Sequence, residues 1–249
     1  MTPTEHPGSC LCGGVRFTAL GPLRPVIACH CTQCRKQSGH FWAATSVPAT
    51  HLHMEKMETL RWFAASDTAR RGFCGGCGAF LFWRATGSPD ISFAAGALDG
   101  PTGLTIAEEW YLPDAGDYYT APQEATEVHG ACLCGANRFT VPHAAGKVWA
   151  CHCTQCRKTS GHYSASFDAE DIHWHAKDAA SHVGPNGGVR EFCPTCGSGL
   201  TFTKDGVTSV EAGVCENPTG GDLRSHVFVG TKGDYYTIPE GADQSLTDG

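Results

Sequence analysis

Cys29-His30-Cys31-Thr32-Gln33-Cys34-Arg35-Lys36 returns further along the chain as Cys151-His152-Cys153-Thr154-Gln155-Cys156-Arg157-Lys158. Each copy sets three cysteines within six residues and follows the last with two cations. Residues two apart in an extended segment point the same way, so Cys29 and Cys31 are placed to face one ion. Cys34 arrives after a turn, at the C-x-x-C spacing that zinc sites favour. Arg35 and Lys36 are expected to keep the thiolates ionised and to receive an anionic group. Cysteines clustered this way in a reduced chain bind metal or do chemistry more often than they sit as idle thiols.

The repeat extends well beyond this stretch. Cys10-Leu11-Cys12-Gly13 matches Cys132-Leu133-Cys134-Gly135, an offset of 132 − 10 = 122. Phe73-Cys74-Gly75-Gly76-Cys77-Gly78 matches Phe192-Cys193-Pro194-Thr195-Cys196-Gly197, an offset of 193 − 74 = 119. Gly116-Asp117-Tyr118-Tyr119-Thr120 matches Gly233-Asp234-Tyr235-Tyr236-Thr237, an offset of 234 − 117 = 117. The 249 residues therefore read as a tandem duplication, with one domain over residues 6–121 and a second over residues 126–241.

Local patterns favour strands. Gly14–Thr18 and Asn137–Val141 alternate, and Phe41–Val47 and Tyr163–Phe167 leave the cysteine clusters as extended segments. Ala79–Arg84, Ile91–Ala95 and Val207–Ala212 read as further strands, with glycine and proline supplying turns. The only helical signal is a short turn at Thr32 and at Thr154, each read as an N-cap. The fold class expected is mainly β, with metal supplying stability that a small core lacks.

Each copy carries seven motif cysteines, and a closed zinc site takes four. Cys10, Cys12, Cys74 and Cys77 form one four-thiol set, with Cys132, Cys134, Cys193 and Cys196 as its counterpart. Cys29, Cys31 and Cys34, and likewise Cys151, Cys153 and Cys156, are left as trios with an open fourth position, where a catalytic zinc receives water or substrate. The expectation is two Zn²⁺ per domain and four per chain. Joining Cys10 and Cys12 to the trio instead is the competing partition. Cys215 stands where the first copy has Leu98, which marks it as a buried, inert thiol.

The order C-x-C, then C-H-C-x-x-C-R-K-x-S-G, then F-C-x-x-C-G resembles the glutathione-dependent formaldehyde-activating enzyme family, which includes centromere protein V. The resemblance runs over nearly the whole chain, twice. It implies a β-tent fold in each half, a structural four-cysteine zinc and a more labile three-cysteine zinc that meets substrate. It also implies condensation of glutathione with formaldehyde to S-hydroxymethylglutathione, a carbon–sulfur lyase reaction run in reverse. The tail His226–Lys232 looks like the family's closing strand, whereas the first copy reads Glu109–Ala115 there.

The leading function is thus zinc-dependent carbon–sulfur lyase chemistry on a small thiol or carbonyl adduct such as that of glutathione. Cys34, Cys156, Arg35 and Arg157 are its candidate catalytic residues. A non-catalytic glutathione or thiol carrier is the alternative, and a structural interaction protein is a third. The formal charge is −7, and 14 thiolates on four Zn²⁺ would make it −7 − 14 + 8 = −13, which argues against a nonspecific nucleic-acid binder. No apolar run reaches the length of a membrane span. A polar Met1–Pro7 without a basic-then-apolar signal points to the cytoplasm. His226 and Lys232 are expected to draw an anionic thiol to the second trio, where the first copy has Glu109 and Ala115. The histidines 30, 40, 152 and 162 read as packing residues, and the Asp-Tyr-Tyr motifs as sheet-edge seals.

Overall fold

The computed structural model describes residues 4–247. The first copy contains strands β1 (Glu5–Ser9), β2 (Arg16–Leu20), β3 (Val26–Cys29), β4 (Trp42–Pro48), β5 (Leu52–Lys56), β6 (Leu60–Ser66), β7 (Ala69–Cys74), β8 (Phe80–Ala85), β9 (Asp90–Ala94) and β10 (Ile106–Trp110). Helix α1 (Thr32–Ser38) and the single turn α2 (Asp117–Thr120) complete it. The second copy repeats this order with β11 (Val128–Ala131), β12 (Arg138–Val141), β13 (Gly146–Cys151), α3 (Thr154–Ser160), β14 (Ser164–Asp168) and β15 (His173–Ala176). It continues with β16 (Ala180–Val183), β17 (Val189–Phe192), β18 (Gly199–Lys204), β19 (Val207–Glu211), β20 (Gly221–Val227) and β21 (Asp243–Gln244). The chain is mainly β, as the alternating patterns require.

Each copy is a three-stranded sheet against a larger one. The small sheets run β1-β2-β5 and β11-β12-β15. The large sheets run β10-β3-β4-β9-β8-β7-β6 and β16-β17-β18-β19-β14-β13-β20-β21. Among the described residues, only the sheet-closing strands β10, β20 and β21 pair in parallel. In the first copy Phe17 of β2 meets Phe82 and Phe93 of the large sheet edge-on, at 5.2 and 5.4 Å between ring centres. The second copy has Thr201 and Val210 at those two places, and its core is correspondingly lighter. The hairpins β6-β7 and β16-β17 escaped the sequence reading, because their solvent faces carry residues such as Arg61 and Arg70 that hide the alternation.

Helices α1 and α3 begin one residue earlier than Thr capping would place them. The N-caps are Cys31 and Cys153, whose sulfurs accept from the backbone N–H groups of Cys34 and Cys156 at 3.4 Å. Each helix runs two turns and stops at a left-handed glycine, Gly39 (φ 83°) or Gly161 (φ 81°).

The two copies pack reciprocally. The Gly96 N–H donates to the Gly161 carbonyl at 2.9 Å, and the Gly213 N–H donates to the Gly39 carbonyl at 2.8 Å. A Cβ on Gly96 or Gly213 would fall 2.7 or 2.4 Å from backbone atoms of the other copy, so only glycine permits this approach. The Asp-Tyr-Tyr motifs are inter-copy clamps, which corrects their reading as edge seals. Asp117 accepts from the Thr219 N–H at 3.0 Å and its hydroxyl at 2.8 Å. Asp234 accepts from the Thr102 N–H and hydroxyl and from the Gly103 N–H, at 2.7–2.8 Å.

The clamps differ in burial: Asp117 and Thr219 are 3% and 0% exposed, whereas Asp234 and Gly103 face solvent. Removing Asp117 strands two buried donors; removing Asp234 leaves donors that water reaches. Asp117→Ala is expected to cost about 2–4 kcal/mol and Asp234→Ala less than about 1 kcal/mol. Urea denaturation of both variants measures the difference, and equal losses would show that the interface does not depend on the buried clamp.

Candidate metal centres and the adjoining cleft

Cys10 and Cys12 sit in the turn between β1 and β2. Cys74 ends β7, and Cys77 follows in the turn to β8. The four sulfurs all lie within 4.8 Å of one another, with Cys10–Cys12 and Cys12–Cys74 at 3.6 Å. Cys132, Cys134, Cys193 and Cys196 form the equivalent group, with separations of 3.5 and 3.6 Å. Four sulfurs around Zn²⁺ at about 2.3 Å stand about 3.8 Å apart, so both groups fit the ion. Backbone N–H groups of Val15 and Asn137 donate to Cys10 and Cys132 at 3.2 Å, which favours thiolate. Gly78 and Gly197 take φ of 74° and 78° directly after the pair, which gives the knuckle its turn. Each group brings the turn of a small sheet against strand ends of its large sheet, within the packed core.

The trios gather as expected. Cys29 ends β3, Cys31 caps α1, and Cys34 lies in its first turn. The Cys29, Cys31 and Cys34 sulfurs form one group, and Cys151, Cys153 and Cys156 form another. Hydrogen bonds from Cys29 and Cys34 hold Cys31 down to about 2, while Cys29 is pushed up to about 11 by sharing with Cys31. Cys34 is raised too, by its sulfur neighbours and then by burial. The second trio repeats this, with Cys153 down to about 2 and Cys151 up to about 12. Three sulfurs this close hold a single negative charge unless a cation replaces their protons, which is the donor chemistry of a metal site.

The cation beside each trio is not the expected one. Arg71, on β7, directs Nη1 and Nη2 at Cys34 Sγ from 3.5 and 3.6 Å, and its guanidinium is steadied by Gln33 and Gln37. Arg190, on β17, reaches Cys156 Sγ at 3.6 Å and Gln155 at 3.1 Å. Aligning the copies exposes both, since each stands three residues before its C-x-x-C pair (71 + 119 = 190). Arg35 instead lies about 100° further round α1 than Cys34 and is buried, 4% exposed, in the inter-copy core. Arg157 donates from Nε to the Thr231 carbonyl at 3.0 Å. Lys158 is held by Ser9, Asp99 and the Ala97 carbonyl of the first copy, and Lys36 lies 3.9 Å from Glu216 of the second.

A cleft of about 520 Å³ opens onto Cys29, Cys31 and Cys34. Arg24, Trp42, Trp83 and Arg71 form its walls, and Trp110 and Tyr111, 46% and 60% exposed, stand at its edge. Arg35 is not part of it. The second trio has different surroundings. Trp42, Phe80 and Ala94 of the first copy become Ser164, Gly199 and Glu211, so a stacked indole–phenyl pair gives way to a carboxyl bonded by the Ser164 hydroxyl at 2.5 Å. His226 and Lys232 do not serve the second trio as anion receivers. His226 bonds His152, and Lys232 Nζ donates to the Gly233 and Tyr236 carbonyls at 3.1 and 2.8 Å. Cys215 is buried, 1% exposed, and burial pushes its thiol up to about 12, in keeping with an inert role.

The two cysteine classes are expected to respond differently to substitution. Cys74→Ser or Cys193→Ser should unfold its copy, because a metal that joins two sheets contributes its binding free energy to folding. Cys34→Ser or Cys156→Ser should leave the melting temperature nearly unchanged while removing one bound metal. Thermal melts with metal analysis test this, and equal destabilisation would make the trios structural. Burial pushes Glu211 up to about 7, so the fold retains a proton that the unfolded chain releases near its ordinary value of 4.5. Its contribution is full below about pH 4.5 and lost as pH rises through about 7. Glu211→Gln should flatten that decline, on the order of 2 kcal/mol, in melting temperature followed against pH.

Comparison with known proteins agrees with this geometry. The sequence profile of the glutathione-dependent formaldehyde-activating enzyme family matches residues 5–114 and again residues 127–231. An uncharacterized lyase of Schizosaccharomyces pombe is 29% identical over 120 residues, which span 46% of this chain and 84% of the yeast protein. With both copies matched and the motif cysteines gathered into the same paired centres, this chain belongs to the glutathione-dependent formaldehyde-activating enzyme family.

Proposed function

We propose that this protein is a carbon–sulfur lyase that joins a small thiol, such as glutathione, to a carbonyl compound, such as formaldehyde, and releases the adduct in reverse. The observation that carries this reading is the cleft of about 520 Å³ opening directly onto a three-sulfur centre with Arg71 3.5 Å from Cys34. Cys10, Cys12, Cys74 and Cys77, with Cys132, Cys134, Cys193 and Cys196, would hold two structural Zn²⁺ ions. The trios Cys29, Cys31, Cys34 and Cys151, Cys153, Cys156 would hold two more, four in all. A Zn²⁺ ion in an open trio would supply Lewis acidity and keep an incoming thiol ionised near neutral pH.

The chain's own residues account for binding and orientation. Arg71 balances the charge of Cys34, and its own place is set by Gln33 and Gln37. Arg24 offers a guanidinium on the cleft wall, suited to a carboxylate of the thiol substrate. Trp42 and Trp83 limit water around the carbon that is attacked. In the reaction the thiol loses its proton, a bond forms between its sulfur and the carbonyl carbon, and the carbonyl oxygen takes up a proton. No electron transfer or additional reactant is required.

Zinc-reconstituted protein should accelerate formation of S-hydroxymethylglutathione from glutathione and formaldehyde, followed by ¹³C NMR. Cys34→Ser with Cys156→Ser should abolish the acceleration. Arg71→Gln should reduce the first copy's rate at least about tenfold, since a charge-assisted bond to Cys34 is lost. Saturable glutathione binding without any acceleration would identify a carrier and reject the lyase reading.

A further inference from the structure

A second cleft, of about 640 Å³, lies between the two copies. His30 enters it from between Cys29 and Cys31, whose own side chains line the other cleft. Phe41 and Ile106 of the first copy and Tyr163 and Leu223 of the second make its walls largely apolar. Glu109 and Asp234 lie along it.

Hydrogen bonds assign the tautomers of the histidines that face this space. The Gly233 N–H donates to the Tyr236 hydroxyl at 3.3 Å, so that hydroxyl gives its own proton to His152 Nδ1 at 2.8 Å. His152 then donates from Nε2 to His226 Nδ1 at 2.9 Å, and His226 presents Nε2–H. In the first copy the Tyr119 hydroxyl has His30 Nδ1 as its partner at 3.0 Å and donates to it. His30 Nε2–H is left without a hydrogen-bond partner; the nearest Glu109 oxygen is 3.8 Å away. Burial disfavours the charged form of His162 and His226, so these offer neutral imidazoles.

The duplication breaks at one atom. His40 bonds the Tyr118 hydroxyl through Nδ1 at 2.8 Å and the Tyr163 hydroxyl through Nε2 at 3.2 Å. Its counterpart His162 meets the Tyr235 hydroxyl through Nδ1 at 3.0 Å; that hydroxyl has no other partner among the described residues, so it donates to Nδ1 and the ring proton lies on Nε2. Phe41 stands where Tyr163 stands in the other copy (41 + 122 = 163), and it brings no oxygen. His162 Nε2 is therefore buried without a partner, in a residue that is 0% exposed and lines the cleft. An unmet buried donor is costly, and a ligand oxygen relieves it.

We propose that the inter-copy cleft binds a small neutral carbonyl compound with an apolar body, its oxygen accepting from His162 Nε2–H and the neighbouring imidazole donors. An anion is disfavoured by Glu109 and Asp234. The site is separate from the thiolate trios and does not depend on their chemistry.

Acetophenone is a suitable probe on the full zinc-loaded chain carrying ¹⁵N-labelled histidine. It should shift the Nε2 resonances of His162 and His30 saturably, with benzoate at least about tenfold weaker. Phe41→Tyr supplies the missing hydroxyl and should weaken acetophenone binding at least about tenfold while leaving the melting temperature equal or higher. Leu223→Trp, which fills the cleft from a half-buried wall, should weaken it as well if Phe41→Tyr does not fold. Absence of a saturable shift, benzoate binding as tightly as acetophenone, or wild-type affinity in the folded variants would overturn the proposal.

Discussion

Crowded sulfurs govern this structure. Four groups of thiols each stand within 4.8 Å of one another, too close for every member to ionise unaided. Within each trio the capping cysteine is driven acidic and its neighbours are driven basic. Protons or a divalent cation must balance the charge, and a cation does so while also joining β-strand ends. The small sheets meet the large ones at the four-thiol corners.

Duplication gives the chain an internal partner. α1 lies against the second copy and α3 against the first, through paired glycines that admit close backbone contact. Lys158 bonds Ser9, Asp99 and Ala97 of the other copy and Lys36 approaches Glu216, whereas Arg35 is simply buried and Arg157 bonds Thr231 of its own copy. The lysines near the thiolates in sequence thus hold the copies together. Cations remote in sequence, Arg71 and Arg190, attend the sulfurs. A single copy would expose the Tyr118, Tyr163 and Tyr235 cluster, so the half-chains depend on each other.

Pairing two copies within one chain also frees each to diverge. The exchange of Trp42, Phe80 and Ala94 for Ser164, Gly199 and Glu211 changes the wall beside one trio from aromatic to carboxylic. The exchange of Tyr163 for Phe41 leaves one buried imidazole unmatched. Both changes sit where a symmetric homodimer would have to alter two sites at once. A tandem chain alters one.

The duplication was legible in the sequence because the cysteine motifs repeat in register. Spacing suggested closed fours and open trios but left Cys10 and Cys12 free to join the trio, and only the folded positions of the sulfurs group them with Cys74 and Cys77. Alternation placed β2, β4, β8 and β9, with β12, β14 and β19, within about two residues, because their inner faces carry apolar positions, whereas β18, with Gly199 at its start, was not legible. The resemblance of the motif set anticipated the family. Tertiary structure decided which cation meets the sulfurs. Position 35 turns away on the helix, whereas β7 carries position 71 back across the sheet, and a contact between residues so far apart is set by strand pairing rather than by sequence neighbours. It also decided that the Asp-Tyr-Tyr motifs clamp the opposite copy and that His226 and Lys232 are spent on His152 and backbone carbonyls. A side chain's partner depends on what the rest of the fold brings within about 3 Å of it, and that distance exists only once the two copies have packed.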